Sequence, residues 1–397
     1  MRVCVAVVCA LSMSAQSRHV TDEEVRRVHE SAILIDTHND APSRTVKGID
    51  FGTRSSIGHT DIPRLRQGGV AATFFAAYVG ADYAVGNRSA HRALQMIDSV
   101  RNDIVAKHAK EMVLATSADE VLAAHKYGKI AAIIGIEGGH AIEDSLGLLR
   151  DYFALGVRYM TLTHTNTNSW ADSSGDMSKK AVAHHNGLTD FGKQVIREMN
   201  RLGMMVDVSH VADKTFWDVI ETSKAPPIAS HSSCRALTNV PRNMTDEMII
   251  ALAKKGGVIQ INFFCGFVSQ RYADAIRPHM DAFDAQLDAL NEKYRSNPAA
   301  GEIEIQKAWD AFSADVPPAT IDDVVAHIDH VVKIAGIDAV GIGSDFDGIS
   351  CAPTGLDDVS QFPNLTRALM EKGYTADQIH KIYGGNLLRV MRAVDRK

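Results

Sequence analysis

The stretch ILIDTHND, residues 33–40, runs from an apolar segment into two side chains that can bind a metal ion. Its first three residues are apolar on both faces of an extended chain, which is typical of a strand buried on both sides in a parallel sheet. His38 and Asp40 stand two residues apart, and this spacing places both side chains on one face of a strand. The stretch therefore predicts a buried first strand whose end supplies half of a metal site.

Seven further apolar, β-branched runs follow, separated by longer amphipathic segments with helical periodicity. The predicted strands span residues 32–37, 70–78, 130–136, 157–163, 204–209, 227–230, 257–262 and 339–344. Near-continuous apolar strands alternating with helices indicate a parallel sheet covered on both faces. Eight such alternations predict an α/β fold of the closed (β/α)₈ TIM-barrel type. A doubly wound open sheet is the alternative, but no GxGxxG motif at a first strand–helix turn supports it.

Two segments depart from the regular alternation. Residues 164–189 are polar and rich in Asn, Ser, Asp and His, which suits a long loop over a site. Residues 275–318 are amphipathic and charged, and they predict a helical hairpin inserted before the last strand, most simply a plain solvated helix pair. No repeat or linker divides the chain, so we expect one domain over residues 17–397.

The composition limits the classes of partner and the cellular location. The chain has 397 residues, a net charge of −6 and no basic block, so nucleic acid is not an expected partner. Residues 1–16 contain Arg2 and an apolar run, and they resemble a signal peptide, which predicts a periplasmic or secreted protein; without a signal the protein would be cytoplasmic. No later segment reaches the roughly 18 apolar residues that span a membrane.

Five cysteines are present, and two of them fall in the predicted signal peptide. Cys234, Cys265 and Cys351 remain, and they are widely spaced with no CxxC pattern. A disulfide framework is therefore not expected. One bridge could form, but its pairing does not follow from the sequence.

Side chains that can bind metal or move protons follow six of the predicted strands. They are His38 and Asp40, Glu137, His164, His210, His231 and Asp345. In a parallel barrel the C-terminal ends of all strands meet at one rim, where barrel active sites lie. One histidine at a strand end is usually structural, but agreement between six strand ends predicts a shared site.

This set of side chains suits a pair of zinc ions. Zinc takes imidazole and carboxylate ligands and leaves an open position for water at catalytic sites. We expect His38 and Asp40 to bind one ion and His210 and His231 to bind the second. Glu137 would bridge the two ions, because two dications need a carboxylate between them. Manganese or cobalt would accept the same ligands.

The remaining strand-end residues have roles in hydrolysis. Paired metals hold a bridging hydroxide and polarise a carbonyl group. Asp345 is placed to accept the proton of the water and to deliver it to the leaving amine. His164 would hydrogen-bond the oxyanion of the tetrahedral intermediate.

Substrate contacts are expected beside the metals. Arg242, in the segment NVPRN, could hold a carboxylate with two hydrogen bonds, and Arg235 is the competing candidate. Asn39 would face the substrate, and Asp36 would orient a metal ligand from behind.

The motifs DTHND (36–40), GIEGGHAI (135–142), LTHTNTNSWAD (162–172), DVSH (207–210), SHSS (230–233), PRN (241–243), GIGSDFDG (341–348) and GGNLLRVM (384–391) together resemble the membrane dipeptidase (renal dipeptidase) family of zinc peptidases. The resemblance covers nearly the whole chain after the signal. It implies a binuclear zinc dipeptidase acting on L-Xaa-L-Xaa and L-Xaa-D-Xaa substrates, and a homodimer. Through the matching motifs, the resemblance implies the same roles for the residues named above: metal binding, hydrogen bonding to the oxyanion, binding of the substrate carboxylate and proton transfer.

Two other functions remain open from the sequence. Another barrel amidohydrolase acting on N-acyl amino acids, lactones or cyclic amides would use the same metal ligands. A maturation or binding protein without metal could use the same scaffold, although the intact set of ligand types argues against it. Fold alone does not separate these functions.

Overall fold

The computed structural model describes residues 19–395, so the predicted signal peptide at residues 1–16 lies outside the described residues. The strands all pair in parallel within one sheet. They are β1 (Leu34–Asn39), β2 (Val70–Tyr78), β3 (Met112–Leu114), β4 (Ile130–Glu137), β5 (Val157–Thr161), β6 (Met205–Asp207), β7 (Ile228–Ser232), β8 (Val258–Ile261) and β9 (Val340–Ile342). Eight of them follow one another around the sheet in the order β1-β2-β4-β5-β6-β7-β8-β9, and β3 pairs only with β4.

The eight strands form a nearly closed barrel, which confirms the predicted (β/α)₈ fold. The last segment returns to the first, since the backbone N–H of Asp345 donates to the His38 carbonyl over 3.0 Å and that of Asp40 donates to the Phe346 carbonyl over 2.8 Å. The parallel register also aligns the strand ends: Glu137 pairs with Thr161 of β5. This alignment brings the residues that follow each strand to one rim.

Helices cover the barrel. The α-helices are α1 (Asp22–Glu30), α2 (Pro42–Thr45), α3 (Ile62–Gln67), α4 (Ser89–Ser99), α5 (Ala118–Lys126), α6 (Leu146–Ala154), α7 (Asp190–Leu202), α8 (Asp213–Thr222), α9 (Asp246–Lys254), α10 (Cys265–Val268), α11 (Gln270–Ile276), α12 (Met280–Lys293), α13 (Pro298–Ser313), α14 (Ile321–Ala335), α15 (Phe362–Glu371), α16 (Ala376–His380) and α17 (Asn386–Val394). Short 3₁₀ segments span Ala81–Ala84, Gly139–Ile142, Arg277–His279, Ile337–Ala339 and Val359–Gln361, and π-helical segments span Val100–Ala106 and Lys381–Gly385.

Alternate strand residues enter two apolar clusters, as expected for strands covered on both faces. Phe74, Ile133 and Tyr159 belong to one cluster, which also contains Leu387 of α17. Their sequence neighbours, such as Phe75, belong to the larger cluster that includes the surrounding helices. The barrel is therefore filled by side chains below the rim.

Three features of the connections bear on the site. The predicted hairpin forms as α12 and α13, and no helix lies between β5 and α7 in residues 162–189. Cys265 and Cys351 form a disulfide, while Cys234 is free and buried. Within residues 19–395, no helix combines the length and apolar character needed to cross a membrane.

Candidate metal centre

The predicted side chains reach the rim by two kinds of backbone. His38, Glu137 and His231 lie within strands β1, β4 and β7. His210 and Asp345 stand just beyond β6 and β9 with φ values of 68° and 65°. Such left-handed backbone is uncommon for residues other than glycine, and it re-aims a side chain at the end of a strand.

Glu137 stands at the centre of the imidazoles. Its Oε1 lies 3.0 Å from His210 Nε2 and 3.2 Å from His231 Nε2. Its other oxygen, Oε2, lies 3.5 Å from His38 Nε2. The two oxygens thus face different histidines, which is the geometry of a carboxylate between two binding positions.

His38 is surrounded by carboxylates. Its Nε2 lies 3.2 Å from Asp40 Oδ2 and 4.0 Å from Asp345 Oδ1. This nitrogen is buried and has no hydrogen-bond partner among the described residues, although buried polar atoms nearly always have one. A nitrogen that faces three carboxylates fits a metal ligand, so the chemistry of these donors suits a cation.

Several triads of donor atoms lie close enough to hold an ion. In the described part of the chain, three groups have ligand atoms within 4.8 Å of one another. They are His38, Glu137 and His231; Glu137, His164 and His210; and His38, Asp40 and Asp345. The predicted ligands all appear in these groups, and His164 and Asp345 appear beside them.

Buried partners orient the histidine rings from behind. The Tyr159 hydroxyl lies 2.8 Å from His38 Nδ1 and donates to the Thr37 carbonyl over 3.2 Å. Ser230 Oγ lies 2.7 Å from His231 Nδ1 and donates to Asp207 Oδ2 over 2.6 Å. These bonds hold each ring so that its Nε2 points at Glu137. Asp207 was recognisable in the DVSH motif, but nothing in the sequence marked Tyr159.

The electrostatics of the histidines divide into two types. Burial alone would lower the pKa of His38, but Tyr159, Glu137 and Asp40 together raise it well above its usual value. Burial lowers the pKa of His210 and of His231 well below the usual value, and the charge of Arg242 adds to this. The latter two rings are therefore neutral, as ligation to a metal requires, whereas a metal bound at His38 would have to displace the proton from its Nε2.

The pKa values of two carboxyl groups are likewise shifted in opposite directions. Burial would raise the pKa of Glu137, but the neighbouring His38 and His164 and the bonds from His210 and His231 hold it well below its usual range. Burial raises the pKa of Asp345 to about 8, and Asp40 and Glu137 add to this.

Asp345 is held at the rim by one partner from a neighbouring strand end. Asn262 Nδ2 donates to Asp345 Oδ2 over 2.8 Å, so Oδ1 remains directed at His38. Asn262 directly follows β8, which lies next to β9 in the barrel. The sequence analysis named no polar residue at the end of β8. The rule that polar residues at strand ends gather at the rim would have found it.

His164 and Arg242 adjoin the imidazole cluster, since the His164 ring lies 4.5 Å from the His210 ring and Arg242 contacts His231. Burial lowers the pKa of His164 to about 4, and its ring meets the Tyr78 ring edge-on at 4.8 Å. Arg242 donates to the Ser232 hydroxyl over 2.8 Å and to the His231 carbonyl over 2.6 Å, and its guanidinium lies 5.4 Å over the Phe267 ring.

The structure does not place three of the expected side chains as the sequence suggested. Asn39 is fully buried; its amide donates to Thr60 Oγ1 over 2.8 Å and its oxygen accepts from the Ala41 N–H over 3.1 Å. Both ends of the Asn39 amide thus contact the loop after β1, and the expected substrate contact of Asn39 stays a prediction. Arg235 pairs with Asp213, which removes it as a competitor of Arg242.

Asp36 supports the rim rather than a metal ligand directly. It accepts from the Ser344 backbone N–H over 2.8 Å and from its hydroxyl over 2.6 Å. Ser344 precedes Asp345, so Asp36 fixes the end of β9 beside β1. Burial raises the pKa of Asp36 to about 6, and the bonds from Ser344 oppose that rise.

A cavity of about 460 Å³ opens above the cluster. Its polar floor includes Asp40, Glu137, His164, His210 and Asp345. Its upper walls are largely apolar and include Phe264, Phe267, Met280, Trp309 and Ile349. Met280 and Trp309 belong to the hairpin α12–α13, so the expectation of a plain solvated helix pair is wrong.

Residues 22–397 match the profile of the membrane dipeptidases, peptidase family M19. The chain belongs to the membrane dipeptidase family. A dipeptidase of Clonostachys rogersoniana, verJ, is 35% identical over 378 residues, covering 91% of this chain and 84% of that protein. An uncharacterized dipeptidase of Schizosaccharomyces pombe is 33% identical over 398 residues, covering 96% and 85% of the two chains.

Solved structures agree with this membership. The probable dipeptidase PvdM from Pseudomonas aeruginosa is 26% identical with a TM-score of 0.77, covering 94% of this chain and 98% of that one. A metallopeptidase from Rhodobacter sphaeroides, bound to a phosphinate mimic of the dipeptide L-Ala-D-Ala, is 25% identical with a TM-score of 0.72, covering 92% of this chain and all (100%) of that one. This protein is thus a dipeptidase. It belongs to the metallopeptidase family M19, which implies a metal cofactor.

Proposed function

We propose that this protein is a binuclear zinc dipeptidase that hydrolyses the single peptide bond of L-Xaa-L-Xaa and L-Xaa-D-Xaa dipeptides. The arrangement around Glu137 carries the proposal, because Oε1 faces His210 and His231 while Oε2 faces His38. His38 and Asp40 would hold one ion, His210 and His231 the other, and Glu137 both. The ligand bound to the Rhodobacter sphaeroides relative, a mimic of L-Ala-D-Ala, supports a D-residue on the C-terminal side.

Zinc ions held there would lower the pKa of a water molecule and polarise the scissile carbonyl. The protein supplies the proton transfer. Asp345 takes a proton from the attacking water and passes it to the amine nitrogen as the C–N bond breaks. Its position supports this role, since Asn262 occupies Oδ2 and leaves Oδ1 facing the cluster.

Two further side chains bind parts of the substrate. His164 lies on the cavity floor with Nε2 3.9 Å from Glu137 Oε1, and as a neutral imidazole it donates a hydrogen bond to the oxygen of the tetrahedral intermediate. Arg242 attracts the free carboxylate of the C-terminal residue. Its Nε is buried and has no hydrogen-bond partner among residues 19–395, which leaves a donor for that carboxylate.

A substrate panel tests the proposal. Zinc-loaded protein is offered dipeptides, the same dipeptides as C-terminal amides, tripeptides and N-acetyl amino acids, and kcat/KM is measured for each. We expect free dipeptides to exceed their amides about thirtyfold or more, because removing one partner of a buried charge pair costs about 2–5 kcal/mol. Equal turnover of acids and amides would exclude the role of Arg242, and faster cleavage of N-acetyl amino acids would identify a different amidohydrolase.

Substitution of His38 tests the proposed set of metal ligands. His38→Ala should lose both bound metal and activity, with metal content measured by elemental analysis after gel filtration. Full metal content in His38→Ala would remove His38 from the ligand set.

A further inference from the structure

The hairpin formed by α12 and α13 presents apolar side chains to the cavity. Trp309 of α13 packs edge-on against Phe283 of α12 with ring centroids 4.3 Å apart, and Phe283 stacks on Phe312 at 4.1 Å. These contacts fix the Trp309 ring where it lines the cavity beside Met280. Both residues are only half-buried in the described protein. A fixed aromatic ring at a cavity wall is a ready contact for a ligand side chain.

The facing wall is also apolar and is held in place covalently. Phe264 and Phe267 follow β8 and meet edge-on at 4.9 Å, and both line the cavity. The disulfide between Cys265 and Cys351 joins this segment to the one after β9, where Ile349 lines the cavity. The apolar pocket therefore lies between a tied rim and the hairpin.

Arg242 relates this pocket to one end of the substrate. Its guanidinium lies 5.4 Å over the ring of Phe267, the residue that also borders the pocket. In the C-terminal residue of a dipeptide, the carboxylate and the side chain are both bonded to the same Cα, so a carboxylate held by Arg242 fixes where that side chain begins. That side chain would consequently emerge next to Phe267, while the acyl half of the dipeptide would extend toward Glu137 and His164, which line the same cavity.

We propose that the pocket of Phe264, Phe267, Met280, Trp309 and Ile349 selects dipeptides whose C-terminal residue is large and apolar or aromatic. The inference rests on the proposed dipeptidase function. The pocket buries such a side chain against apolar surface, whereas a charged side chain would lose its hydration without finding a partner there. An apolar side chain that fits such a pocket raises kcat/KM by about tenfold or more.

Two substrate series test the inference. The values of kcat/KM are measured for Ala-Xaa and Xaa-Ala, with Gly, Leu, Phe, Glu or Lys at Xaa. We expect Ala-Phe and Ala-Leu to exceed Ala-Gly, Ala-Glu and Ala-Lys by about tenfold to a hundredfold. A flat Ala-Xaa series, or a preference confined to Xaa-Ala, would overturn the inference while leaving the dipeptidase function intact. No hydrolysis in either series would overturn the proposed function and this inference with it.

Variants identify the wall that selects. Trp309→Ala should lower the ratio of kcat/KM for Ala-Phe over Ala-Gly at least fivefold. Trp217→Ala is the matched control, because Trp217 lies 40% exposed on α8 and does not line the cavity; its ratio should match that of the unaltered protein. Met280→Lys should raise the ratio of Ala-Glu over Ala-Phe at least tenfold, a gain that misfolding cannot produce. An unchanged ratio in both cavity variants would contradict the assignment of this wall.

Discussion

At the scale of single residues, Asp345 combines a raised pKa with one oxygen held by Asn262 and one oxygen directed at the cluster. Replacing it by Asn keeps the shape and the contact with Asn262 but removes the proton-accepting oxygen. We expect Asp345→Asn to retain its metal and to lose about a hundredfold to ten-thousandfold in kcat. Steady-state kinetics and elemental analysis measure the two effects, and the exposed Asp357→Asn is the control. Full activity of Asp345→Asn would assign the proton transfer to another group.

Gly348 controls the spacing of the carboxylates without binding anything itself. A Cβ at this position would lie 2.4 Å from Asp40 Oδ2 and 2.5 Å from Asp345 Oδ1, so both groups would have to move. A displacement of about 1 Å in an active site can cost about a hundredfold in rate. Gly348→Ala should therefore lose metal or at least tenfold in kcat while the melting temperature stays within a few degrees.

The control for that variant is Gly147→Ala in α6, where the nearest atom to a new Cβ is the flexible Ser145 hydroxyl at 3.2 Å. Gly147→Ala should keep both metal and activity. Equal behaviour of the two variants would show that the carboxylate spacing at Gly348 is not critical.

His327, which is not one of the proposed metal ligands, makes the stability of the protein depend on pH. Its Nδ1 accepts from the Cys234 backbone N–H over 3.0 Å, so its Nε2 carries the hydrogen and donates to the Val268 carbonyl over 3.2 Å. Burial lowers the pKa of His327 to about 4 from an ordinary value of 6.5. As the pH falls below 6.5, the unfolded chain takes up this proton before the folded protein does, so stability is lost between pH 6.5 and 4.

The loss attributable to this group is on the order of 2 kcal/mol at pH 5 relative to pH 7. Urea unfolding at both pH values measures it. His327→Asn should show a smaller decrease than the unaltered protein, whereas His125→Gln, exposed on α5, should show the same decrease. An identical pH dependence in His327→Asn would contradict the assignment.

The sequence predicted the cluster residues through their positions at strand ends, but not every side-chain direction. The spacing of His38 and Asp40 predicted that both side chains lie on one face of the strand, and His38 Nε2 lies 3.2 Å from Asp40 Oδ2. The hydrogen bond of Asn39 to Thr60 could not be predicted, because Thr60 belongs to a loop 21 residues away and strand periodicity carries no information about that loop. The bond from Tyr159 to His38 depends likewise on packing across the barrel.

At the scale of elements, the disulfide between Cys265 and Cys351 encloses the whole hairpin. The two cysteines are 86 residues apart in the sequence, and the bridge restricts the unfolded chain over that length. Removing a native bridge typically costs about 2–4 kcal/mol of stability. The double variant Cys265→Ser/Cys351→Ser should lose about this amount in urea unfolding.

A reducing agent supplies the control for the bridge. It should lower the stability of the unaltered protein to that of the double variant and leave the double variant unchanged. If reduction changes neither protein, the two cysteines do not form the bridge in solution.

Long elements were predictable and short or inserted ones were not. β2 was predicted at residues 70–78 and β4 to within one residue, because eight buried positions in each strand give a clear apolar run. β3 has three residues and was missed, since so short a strand leaves no periodicity. The hairpin was predicted as two helices, but the packing of Trp309 over the cavity depends on residues remote in sequence, so the sequence did not indicate its contribution to the site.

At the scale of the whole molecule, the parallel register turns separate strand ends into one site. Strands β1, β4, β6, β7 and β9 each contribute one or two polar side chains to the same rim. They follow one another around the barrel in the sheet order β1-β2-β4-β5-β6-β7-β8-β9. This convergence was predictable from the fold class, because it follows from strand direction alone. The distances within the cluster were not, because they depend on the register of each pair and on the left-handed backbone at His210 and Asp345.

The proposed function requires that two metal ions share Glu137 and that hydrolysis needs both. The most direct measurement is a titration of metal-free protein with zinc, recording bound metal by elemental analysis and hydrolysis of a dipeptide such as Ala-Phe at each point. We expect bound zinc to reach two equivalents per chain and activity to be complete only at that point. Glu137→Gln, which keeps the size of the side chain but loses its charge, should hold fewer ions. Full activity at one equivalent, or in the presence of excess chelator, would contradict the claim.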